Sequence, residues 1–227
     1  MGFVISTRDA TASVMGLQTL NEIYDGRFVL GVSHAPLVSD LRGHKYRERL
    51  ATMRAYLGDM DKAWDALGGT PAEKQVILVA LGPRMLQLGG ERTLGVMPAN
   101  VTAAHALIAR EKVGADGLVW SEVHVSMAND PKQARSAARA ALDFYFQLSH
   151  YIKIWERLGF SDADFENGGS DALIDALVGW GEVEHIEARL QENLDNGVGQ
   201  LVIHAIRPGS QPGPDWNALQ TLAPGAR

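Results

Sequence analysis

Seven short places in this 227-residue chain carry side chains or turns that could do chemistry. His34 stands just past the apolar run RFVLGV (Arg27–Val32), and Ser33 precedes it. An imidazole titrates near neutrality, which suits proton transfer, although a loop histidine is often only a hydrogen-bonded surface group. Ala80-Leu81-Gly82-Pro83 closes a second apolar run, QVILVAL, and Pro83 suits the first turn of a helix. Main-chain N–H groups at such a turn, helped by the helix dipole, can hold a phosphate; Gly-Pro is equally ordinary turn chemistry. Asn100 follows a third run, and Arg207 follows the last, QLVIHAI. Glu122 and His124 alternate on one face of a further strand. Two ligands without a third are usually a polar strand face, so no metal site is expected.

The elements that must position these residues alternate between strand and helix. Strands are expected near Phe3–Ser6, Arg27–Val32, Gln75–Leu81, Leu94–Met97, Leu118–Val125 and Gln200–Ile206. Asp9 can cap a helix with Val14, Leu17, Leu20 and Ile23 at helical spacing, stopped by Gly26. Leu50, Met53, Leu57, Met60 and Trp64 mark a second helix, broken by Gly68-Gly69-Thr70-Pro71. Gly89-Gly90 weakens the helix that Pro83 begins. Asn129-Asp130-Pro131 starts an Ala-rich helix expected to reach Tyr151 or beyond. Val183, Ile186, Leu190 and Leu194 mark the last strong helix, and the Pro/Gly-rich tail, 208–227, reads as loose. Such alternation implies a parallel sheet with helical crossovers in one domain spanning 1–227, with 127–181 as an elaborated helical region. Periodicity leaves an open sheet and a barrel both standing.

Composition narrows the function classes. The chain has no cysteine, so thiolate nucleophiles, disulfides and Cys-ligated zinc are excluded. A net charge of −6 with no Lys/Arg cluster argues against nucleic acid. Neither GxGxxG nor GxxxxGK[ST] follows a strand, which removes the dinucleotide and P-loop fingerprints. The apolar start is too short for a signal segment or membrane span, and Gly2 with Ser6 fits a myristoylation signal only superficially. A cytoplasmic protein is expected, with no membrane partner.

Three longer segments, in order, resemble the luciferase-like monooxygenases, especially the branch that uses the deazaflavin coenzyme F420. They are GRFVLGVSHAPLVSDLRGHKYRERLATMRAYL (Gly26–Leu57), VALGPRMLQLGGERTLGVMPANVT (Val79–Thr102) and ERLGFSDADFENGGSDALIDALVGWG (Glu156–Gly181). The resemblance implies a (β/α)8 barrel, with Phe3–Ser6 at the end of strand three and Gln200–Ile206 as strand eight. An incomplete barrel of about six parallel strands with outer helices is therefore expected, lacking the first two βα units.

The same resemblance implies the roles. His34 would be the catalytic acid/base. Ser33, Ala80, Leu81, Gly82, Pro83, Asn100 and Arg207 would bind the cofactor, although Leu81 stands where relatives are often richer in glycine. The implied cofactor is F420, with FMN as the alternative. The implied activity is hydride transfer or oxygen activation on a small organic substrate. A non-catalytic cofactor-binding or assembly module of the same fold is the competing reading. Strand edges and apolar faces left open by missing units would favour a homodimer or larger assembly.

Overall fold

The computed structural model describes residues 2–35, 48–70, 74–210 and 213–225. Residues 36–47 of the first family-like segment, and Pro71, lie outside them. The chain divides into two compact units, Met1–Met97 with Glu111–Leu118, and Pro98–Arg110 with Val119–Arg227.

In the first unit, β1 (Gly2–Val4), β2 (Leu30–Ser33), β3 (Val76–Leu78) and β4 (Gly95–Val96) pair in that order, all parallel. Val32, Ile77, Leu78 and Val96 are almost wholly buried, as expected of parallel strands covered on both faces. Each strand is shorter than its apolar run. After Val4 the chain tightens into a 3-10 turn, Ile5–Thr7.

α1 (Ala10–Ile23) starts where Asp9 accepts from the Ala12 amide and buries Val14 and Leu17. It ends with Asp25 and Gly26 both at positive φ, and the Gly26 amide reaches back to the Asn21 carbonyl. α2 (Arg49–Ala66) buries Met53, Leu57, Met60 and Trp64 at the expected spacing. Ser13 Oγ and Tyr56 Oη, 2.7 Å apart, tie these two helices together. α3 (Pro83–Arg92) runs unbroken through Gly89-Gly90. The glycines cost helix propensity but admit close packing: a Cβ on Gly90 would lie 2.6 Å from the Val113 carbonyl oxygen. Gly95 is more constrained, with φ +151° and space for a Cβ only 1.9 Å from Leu118 O.

In the second unit, β5 (Leu118–Ser126) pairs in parallel with β6 (Val178–Trp180) and with β7 (Gln200–Ala205). β6 brings the described strands to seven, one more than expected. It is three residues long and follows a helix directly, so no turn announces it. Val123, Val125 and Ala205 pack on Ile186 and Leu190 of α9 (Val183–Asp195) and on Ala218 of α10 (Trp216–Thr221). The tail is thus not wholly loose: Asp215 caps α10 through the Ala218 amide, and Ala218 is fully buried.

The Ala-rich helix also differs from expectation. α5 (Pro131–Phe146) begins at the Asp130 cap as foreseen, but stops, and α6 (Ser149–Arg157) begins afresh. From Leu142 to Tyr151 is about two and a half helical turns. A continuous helix would therefore turn Tyr151 away from the buried stripe that ends at Leu142. The break resets the register, and Tyr151, Ile154 and Trp155 are buried. Beyond α6 come α7 (Asp162–Phe165) and α8 (Asp171–Leu177). Arg135 of α5 pairs with Asp171 and Asp175 of α8, while α4 (Ala103–Val113) precedes β5.

Candidate functional site

Ser33 and His34 lie at the C-terminal end of β2, beside the end of β3: Val32 pairs with Leu78, and the Val79 amide donates to Val32 O at 2.8 Å. The register thus brings the His34 segment next to Ala80 and Leu81. Ala80 is buried, and Gly82 is the residue before α3 with ordinary extended angles, φ −79° and ψ 148°. No side chain caps α3. Pro83 has no N–H, and the Met85 and Leu86 amides both donate to Gly82 O at 2.9 Å, so at this helix start the Arg84 amide alone lacks an intrahelical acceptor and could serve an anion. A Cβ built on Gly82 meets no atom of the described residues within 4 Å, so among them the outer side of the turn is open. His34 is half-buried, and burial, then the Arg49 charge, hold its pKa below the usual 6.5 against a main-chain hydrogen bond. Its neutral form therefore prevails at pH 7.

The other two cofactor candidates belong to the second unit. Asn100 is 2% exposed and sits in the left-handed region at φ +53°. Its carbonyl accepts from Trp155 Nε1 at 2.9 Å, and its Nδ2 donates weakly to Tyr151 Oη at 3.4 Å. Its Oδ1 is buried with no hydrogen-bond partner among the described residues. As placed, the open atom is an acceptor and suits a ligand N–H or O–H; a phosphate would require the side-chain amide to turn over. Arg207 donates through Nε to Pro214 O and lines, with His204, Ile206, Ala137 and Ala140, a cavity of about 460 Å³.

A third group was not recognised from sequence as a set. Glu122 and His124 project from β5 on the face opposite the α9 and α10 contacts, and β7 supplies His204, the register partner of His124. Glu122 Oε1 lies 3.7 Å from His124 Nε2 and 3.8 Å from His204 Nδ1. The two imidazole rings are 4.6 Å apart, centre to centre. A third side chain able to offer a ligand atom, whose lack was the reason for setting a metal aside, therefore stands beside the pair. The only sequence signal for it was the alternation QLVIHAI, which puts His204 on the opposite face from Ile203 but names no partner strand.

These groups divide their charge. Burial lowers the His124 pKa to about 4, against the pull of Glu122, and the His204 charge adds to the lowering. Burial pushes Glu122 upward, but its polar contact with His204 and the charges of His124 and His204 bring it below the ordinary value. His204 is raised, first by that same contact, with burial opposing and the Glu122 charge assisting. Burial pushes the nearby Tyr151 phenol up to about 12; the Asn100 hydrogen bond opposes this, and the Tyr145 and Glu122 charges reinforce it.

The comparison that decides the family is a match to the luciferase-like monooxygenase model over residues 1–200. The chain belongs to the luciferase-like monooxygenase family. Among sequence relatives of this luciferase-like chain, a 5,10-methylenetetrahydromethanopterin reductase of Methanolobus tindarius is 29% identical, over 86% of this chain and 73% of the relative. The enzyme of the same name from Archaeoglobus fulgidus is 30% identical, over 76% and 60%. The chain thus spans only part of the length of each.

Two solved structures share a TM-score of 0.67 with it. An F420-dependent secondary alcohol dehydrogenase is 13% identical, covering 96% of this chain and 75% of that one. An F420-dependent tetrahydromethanopterin reductase from Methanopyrus kandleri is 17% identical, covering 92% and 78%. An EDTA monooxygenase from a Chelativorans species has a TM-score of 0.64 at 12% identity, covering 92% and 68%. These likenesses show the fold, which is the α/β barrel type expected from the sequence: parallel strands and helices covering part of the family's barrel. No helix among the described residues is long and apolar enough to cross a membrane.

Proposed function

We propose that this luciferase-like chain is an F420-binding oxidoreductase that moves a hydride to or from a small organic substrate. The observation that carries the reading is sequence similarity, over most of the chain, to two methylenetetrahydromethanopterin reductases. The F420-dependent enzymes of like fold favour the deazaflavin over FMN.

The residues fit such a cofactor at its anionic end. The turn Leu81-Gly82-Pro83 offers an approach that no described residue blocks at Gly82, and the Arg84 amide, which has no intrahelical acceptor, could meet a phosphate-bearing tail. Arg84 would add positive charge at the first turn of α3, and Ser33 a hydroxyl at the neighbouring strand end. When bound, the deazaflavin ring supplies the hydride chemistry; the protein supplies binding, orientation and exclusion of water. His34, neutral and half-buried beside the same strand ends, is positioned to give or take one proton at its imidazole. Asn100, with a buried acceptor oxygen unpaired, can orient a ligand N–H or O–H.

The test is a titration of the purified chain with F420 and with FMN, followed by cofactor fluorescence. Saturable F420 binding that FMN does not match supports the proposal. Stronger FMN binding overturns the choice of cofactor, and binding of neither returns the chain to the class of non-catalytic modules.

A further inference from the structure

We propose that Glu122, His124 and His204 together bind one divalent transition-metal ion of the zinc class. The inference goes beyond the cofactor reading and uses none of Ser33, His34 or the turn Ala80–Pro83, so either can fail alone.

Geometry is the first support. Each of the three side chains offers one ligand atom, and all three atoms lie within 4.8 Å of one another. The carboxylate oxygen stands 3.7 Å and 3.8 Å from the two imidazole nitrogens. Those separations exceed a hydrogen bond. A tetrahedral ion with bonds of about 2.1 Å spaces its ligand atoms by roughly 3.4 Å, so small side-chain adjustments would close the set.

The scaffold is the second support. His124 and His204 are register partners on parallel strands, and Glu122 lies two residues before His124 on the same face. Positions on paired strands are more rigid than positions on loops, so the three groups are held near one another before any ion arrives. His124 is 2% exposed, Glu122 21% and His204 58%, which gives the group a closed floor and an open side for a hydrated ion to enter.

Donor chemistry selects the ion. Two imidazole nitrogens and one carboxylate oxygen suit zinc and its first-row neighbours, whereas calcium and magnesium favour oxygen ligands alone. Three protein ligands leave a fourth position for water or for a ligand oxygen.

The full chain, without an affinity tag and after dialysis against chelator, is titrated with Zn²⁺ alone by calorimetry. Co²⁺ is then used as a visible-absorption probe of coordination. One Zn²⁺ per chain is expected, with the intense Co²⁺ bands of a four-coordinate site. His204→Ala changes the most exposed of the three residues and is expected to weaken Zn²⁺ binding by at least about tenfold. Glu122→Gln, which keeps the side-chain shape, should do the same, while His185→Ala on α9 leaves binding unchanged. Circular dichroism checks that each variant is folded, and loss of binding in either folded ligand variant, with His185→Ala unaffected, supports the site. Absence of stoichiometric binding overturns the proposal, as does wild-type affinity in both His204→Ala and Glu122→Gln.

Discussion

The indole N–H of Trp155 donates to the main-chain carbonyl of Asn100 at 2.9 Å, in a place where both residues are almost fully buried. This bond anchors α6 to the loop that precedes α4. It also holds Asn100 at a positive φ that few side chains tolerate. Trp155→Phe keeps an aromatic ring but leaves that carbonyl without its donor. A destabilisation of about 1–3 kcal/mol is expected, read as a lower urea midpoint at unchanged slope. An unchanged midpoint would show that water or another donor replaces the indole.

Gly82 offers a cleaner probe of cofactor binding than most glycines. Its angles suit any L-residue, and a Cβ there meets nothing within 4 Å. Gly82→Leu should therefore fold normally while its side chain obstructs the approach to the Arg84 amide at the start of α3. F420 affinity is expected to fall by about 1–3 kcal/mol, measured by fluorescence titration. Wild-type affinity in this variant would remove the phosphate assignment.

His34 gives a prediction on turnover and another on pH. His34→Gln should spare F420 binding and lower the rate of any reaction the loaded protein performs. Its pKa in the folded state lies below the 6.5 of the unfolded chain. Below pH 6.5 the unfolded state therefore takes up the proton first, and stability is lost as pH falls through the folded pKa. Above pH 6.5 this group makes no difference. Denaturation at pH 7.5 and 5.5 should show a smaller loss in His34→Gln than in the wild type; equal losses would count against a buried, neutral His34.

Self-association is also proposed. Met15 and Ile23, about two turns apart on α1, are 54% and 62% exposed, apolar side chains that a partner copy would cover. Sedimentation velocity at micromolar concentration should find a dimer or larger species, which Ile23→Lys weakens by about tenfold, or ~1.4 kcal/mol. A stable wild-type monomer would refute it.

Much of this protein is legible along the chain because the deciding forces are local. Asp9 and Asp130 cap helices through amides three residues away, and the apolar spacing of α2 is the spacing of one helical face. The strand–helix alternation likewise foretold parallel strands, because a crossover helix returns the chain to run in the same direction, and the contiguous Gly82-Pro83 pair foretold the turn. The α5–α6 break was hidden: nothing near Gln147 forbids a helix, and only the demand to bury Tyr151 and Trp155 ends it. β6 and α10 were hidden for the same reason, being short elements that persist by packing against β5 and its neighbours. The Glu122–His124–His204 group lay furthest beyond reach. Alternation put Glu122 and His124 on one face, but β5 pairs with β7 as well as with β6, which precedes β7 in the chain. Which strand lies beside β5, and in what register, is decided by the whole packed sheet, and that decision alone places His204 against His124.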